Sequence, residues 1–172
     1  MDSETPAAPT GPSPASVSFL TRGDFRAAFR QAIAHLAEHG CREIYLCDRD
    51  YADWPLGEPE VVDLLTRWAM PHRKLVVLAA RFETLQRQHP RWVAWRRTWS
   101  HIVDCRQVAD DDVPAIPSMM IAPGQLSLRV HDPIHFRGRL AFTRPEEVRD
   151  WEELDAFLQR SAESFPVTQL GL

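Results

Sequence analysis

Lys74-Leu75-Val76-Val77-Leu78-Ala79-Ala80 decides the fold, because after its lysine every side chain is apolar and nothing alternates. A strand with one wet face alternates apolar and polar residues; an unbroken run marks a strand buried on both faces. Two more runs share this texture, Glu43-Ile44-Tyr45-Leu46-Cys47-Asp48 before it and His101-Ile102-Val103-Asp104-Cys105-Arg106 after it. Between them the period is helical. Residues 22–39 place Phe25, Phe29, Ile33 and Leu36 on one face, opening on Thr21 and Asp24 and closing at Gly40. Pro59 starts a second helix through Val61, Leu65 and Trp68, ending before Pro71. A third helical stretch is broken at Pro90. This β-α-β-α-β order predicts an α/β fold with a mostly parallel sheet and helices on both faces.

The chain then changes character. Ser118–Ala122 and Gln125–Val130 flank Pro123-Gly124, which predicts an antiparallel hairpin. Arg139–Phe142 is a further strand, expected at the sheet edge, and Thr143 with Glu146 opens a last helix through Trp151, Leu154 and Phe157. Residues 1–18 hold Pro6, Pro9, Pro12 and Pro14 with no large apolar side chain before Val17, so a flexible tail is expected there. A single domain over 19–162 and a second tail over 163–172 complete the expected organisation.

Composition excludes several classes. The 172 residues carry a net charge of −4 and no apolar run long enough for a membrane helix. Cys41, Cys47 and Cys105 have neither disulfide-scaffold nor zinc spacing, so they read as reduced thiols in a cytoplasmic protein. No Gly-rich phosphate loop is present, so neither a nucleotide cofactor nor any other is expected. Lys74 is the only lysine against nineteen arginines, but these occur on nearly every segment and are outnumbered by carboxylates. That distribution makes nucleic acid the least favoured partner.

A parallel β-α-β core followed by a hairpin, a strand and a closing helix resembles one half of the phospholipase D superfamily fold. More narrowly, it resembles a bacterial domain that often sits behind a GNAT acetyltransferase in one chain. The superfamily's chemistry rests on H-x-K-x-x-x-x-D, whose histidine attacks phosphorus. Setting that motif on the Pro123-Gly124 turn puts Ile116, Ser118 and Pro123 at the histidine, lysine and aspartate positions. None can do the required work, so the resemblance implies a phosphodiesterase scaffold without its activity and no catalytic residue of that type.

Three clusters remain as candidate sites. Asp48, Asp50, Asp53 and Trp54 follow the first buried strand, where open α/β sheets gather ligands; the alternative is a capped turn with its aromatics folded on the core. Trp92, Trp95 and Trp99 interleave with Arg96 and its neighbours, residue types enriched at partner surfaces, though packing on the sheet explains the indoles as well. His131, Asp132 and His135 are spaced for a metal on a helix, but Pro133 argues for a loop, so no metal site is expected. The expectation is a non-catalytic interaction module, with a protein partner or a second copy of itself and a possible acetyltransferase link. The alternative is an enzyme of other chemistry, using the Asp48–Trp54 loop with His131, Asp132 or His135 as acid–base groups.

Overall fold

The computed structural model describes residues 16–166. Strands β1 (Ser16–Phe19), β2 (Glu43–Asp48), β3 (Lys74–Ala79), β4 (Val103–Gln107), β5 (Ser118–Ala122), β6 (Leu126–Asp132), β7 (Arg137–Ala141) and β8 (Ala162–Glu163) form one sheet. Their order is β1-β7-β6-β5-β2-β3-β4-β8. Parallel pairing joins β2 to β3 and β3 to β4, where the apolar runs lie; the hairpin half and both edges are antiparallel.

Helices α1 (Arg22–His39), α2 (Pro59–Trp68), α3 (Glu83–Gln88) and α4 (Pro90–Thr98) cover one face, and α5 (Arg144–Gln159) covers the other. Successive residues of β2 show why its run must be apolar throughout. Ile44 and Leu46 join the core under α1 and α2, while Tyr45 and Cys47 join the one under α5. Thr21 Oγ1 accepts from Asp24 N at 3.0 Å and caps α1 as the spacing predicts. At α5 the cap is incomplete: the Thr143 hydroxyl donates to Glu146 Oε2 at 3.0 Å and bonds no helix N–H.

Two boundaries and one strand position differ from expectation. Residues 16–18, assigned to a flexible tail, pair with β7 as part of β1, because Phe19 is buried against Gly138 and carries its neighbours into the sheet. That pairing makes β7 an interior strand rather than an edge. Ala162 and Glu163 pair with Gln107 and Arg106, so the C-terminal segment starts as a strand. The remainder of both expected tails, residues 1–15 and 167–172, lies outside the described residues. Among the described residues no helix is long and apolar enough to cross a membrane.

Candidate functional site

The chain leaves β2 through α2 toward β3, and later reaches the opposite side of β2 through a 3-10 helix (Asp110–Ala115) and β5. Where an open sheet splits in this way, a crevice forms beyond the strand ends. Here it is a cleft of about 340 Å³ lined by Asp48, Arg49, Ser118, Arg129, His131 and Glu153, with Ile116 and prolines on its wall. Burial pushes the Asp48 carboxyl up, against hydrogen bonds from Ser118, Tyr51 N and Asp50 N. Burial and the guanidiniums of Arg139 and Arg129 hold His131 below the usual imidazole value. Arg129 reaches Asp150 at 3.1 Å and also bonds Glu153.

Of the residues expected to act together, Asp48 and His131 do share this cleft. The others do not. Asp50 closes a turn by accepting from Ala52 N at 3.0 Å, and Asp53 pairs with Arg22 at 2.8 Å. Trp54 is buried edge-on among Phe25, Phe29 and Tyr51. Asp132 is spent within its own turn, accepting from Ile134 N and His135 N while its other oxygen meets His135 Nδ1 at 2.8 Å. Among the described residues no group of three or more His, Cys, Asp or Glu is placed to hold a metal ion.

The tryptophan stripe resolves toward the core. Trp92 and Trp95 are buried under the sheet, Trp99 is half-buried, and even Arg96 is enclosed. What the helix leaves outside is charge. Residues 67–101 contain eight of the twenty basic side chains and one of the twenty-four acidic ones. Arg67, Lys74, Arg81, Arg87, Arg91 and Arg97 are exposed. Among the described residues, every ion pair is made by cations outside this stretch. They run from the end of β3 along α3 and α4 and round the edge where β3 and β4 begin, beside a cleft of about 260 Å³ whose polar lining is His72, Arg73, Lys74, His101 and Asp104. The opposite face of the sheet carries α5, with six carboxylates against two arginines. Sequence reasoning averaged these two faces into one acidic chain. Counting charge in a moving window would have found the basic one.

Geometry and charge thus define a mixed α/β domain with one unneutralised cationic face. The chain belongs to the family DUF7931, a domain of unknown function, which matches residues 26–170. No curated protein matches it in sequence. Among solved structures it is similar to TrmBL2, an archaeal chromatin protein whose structure is described as showing a novel mode of DNA binding. The TM-score is 0.63 at 11% identity, a likeness of fold, covering 94% of this chain and 57% of that one. The chain therefore spans little more than half of that relative's length.

This likeness corrects two expectations. The reading as a module for a protein partner or unknown ligand gives way, and so does the ranking of nucleic acid as least favoured partner. The fold is shared with a chromatin protein, and a net charge of −4 conceals a stretch, residues 67–101, in which basic side chains outnumber acidic ones eight to one. Long-range attraction is set by the local field of a face and not by the sum over the molecule.

Proposed function

We propose that this domain binds nucleic acid through its phosphate backbone, using the cations of residues 67–101. The carrying observation is that Arg67, Lys74, Arg81, Arg87, Arg91 and Arg97 are exposed and have no carboxylate partners among the described residues, while α5 across the sheet carries six carboxylates against two arginines. Backbone contacts by Arg and Lys release counterions from the duplex and need no base-specific group. The fold shared with TrmBL2 supports this reading. Kinship with phospholipase D halves, carried by the order of elements, supports binding without cleavage of that superfamily's type: Ile116 and Ser118, at the positions of the motif's histidine and lysine, carry neither an imidazole nor an ammonium group. Three free cysteines fit a reducing cytoplasm.

Fluorescence anisotropy with a labelled duplex tests the proposal. Affinity is expected to fall linearly in a log–log plot against salt, with a slope of about −0.9 per neutralised phosphate. No binding at about 50 mM salt, or binding indifferent to salt, would end it.

A further inference from the structure

Arg96 differs from the other cations of its stretch. It stands in the last turn of α4 and is 5% exposed, yet its Nε has no hydrogen-bond partner. Asp104, the carboxylate whose field it feels, is paired with Arg106 at 3.5 Å. The only group over the guanidinium among the described residues is the Phe165 ring, 4.5 Å from its centroid. Phe165 stacks on Phe82 at 5.3 Å and takes φ 50°, a conformation costly for a bulky residue. Beside Arg96 opens a cleft of about 430 Å³ between α4, β4 and the C-terminal strand.

A buried cation whose Nε–H is left without a partner is expensive, and an apolar side chain of similar length would fill the same space without that penalty. The arrangement makes sense when an anion arrives. We propose that this cleft seats one phosphodiester group on the Arg96 guanidinium; as to partner, this rests on the nucleic-acid reading above. The carboxylates of Asp104 and Glu163 on the cleft wall select the charge of the guest. They repel the second charge of a phosphate monoester more than they oppose the single charge of a diester. Such a seat orients a strand that the exposed arginines only attract.

The test uses the full chain, its Arg96→Met and Glu163→Gln variants, and dimethyl phosphate as a singly charged probe. Titrated into 15N-labelled protein, dimethyl phosphate should shift the Arg96 Nε–H resonance, identified by its loss in R96M, and methyl phosphate should shift it less. R96M should melt at or above the wild-type temperature and bind duplex DNA about tenfold or more weakly. E163Q, at an exposed position, should bind dimethyl phosphate more tightly. An unmoved resonance overturns the proposal, and so does an R96M chain that keeps wild-type DNA affinity. R96M melting far below wild type also overturns it, since Arg96 would then be structural. A wild type that binds no DNA but shows the dimethyl phosphate shift removes the partner reading and leaves the diester seat standing.

Discussion

His89 donates its Nε2–H to the main-chain carbonyl of Tyr51 at 2.8 Å, tying the junction between α3 and α4 to the loop after β2. Gly57 makes room for it: a Cβ there would stand 3.1 Å from the His89 ring. Tyr51 is held in turn by its hydroxyl, which donates to Leu78 O at 2.7 Å, and adopts φ 60°. This imidazole adds a polar tie between the basic face and the sheet to the packing of Leu85, Trp92 and Trp95.

Stability should fall in mild acid through this contact. Burial lowers the His89 value below 6.5, although the bond to Tyr51 opposes the shift. A depressed imidazole is neutral in both states above about 6.5, where its stabilisation is complete; below that the unfolded chain takes the proton first, and stability declines toward the folded-state value. The urea midpoint should therefore drop between about pH 7.5 and about pH 5, and H89Q, which keeps a donor for the carbonyl, should flatten the drop. Equal pH slopes for the two proteins would refute this role.

Gly138 should tolerate no side chain. A Cβ built there lies 2.0 Å from Arg129 O and 2.6 Å from the Phe19 ring, between β6 and β1. G138A is expected to destabilise by about 2–3 kcal/mol or more. Hydrogen exchange should show the loss first at Ser18 and Phe19, and a wild-type melt would contradict the packing.

Trp92 should behave as core. It is fully buried, with its ring 6.4 Å from that of Trp95. W92A is expected to cost about 3–5 kcal/mol, a large part of a domain's stability. Fluorescence quenching by acrylamide gives an independent reading: an indole quenched as readily as free tryptophan would place it outside.

The charge asymmetry makes a position-dependent prediction. R87Q, R91Q and R97Q should each weaken duplex binding and lower the salt slope by about one. R149Q on α5, across the sheet, should do neither. Equal effects on both faces would show that net charge, not the basic face, governs binding.

The three parallel strands and their helices were legible because burial on two faces forces an unbroken apolar run, and Thr21 and Gly40 mark the ends of α1 by local chemistry alone. Short pairings were not. β1 and β8 hold four and two residues, too few to carry a period, and exist only because β7 and β4 offer open edges. At the candidate sites, sequence spacing named Asp48, His131 and Arg96 but not their environments.

What the sequence determined by itself is the order of elements, since period and capping depend on neighbours along the chain. Which arginine is enclosed and which faces water was decided by the tertiary structure. Arg96 and Arg97 are adjacent in sequence, yet a helical turn of about 100° per residue sends one under Phe165 and the other into solvent. The opposed charges of α4 and α5 became a field only when the sheet held them apart.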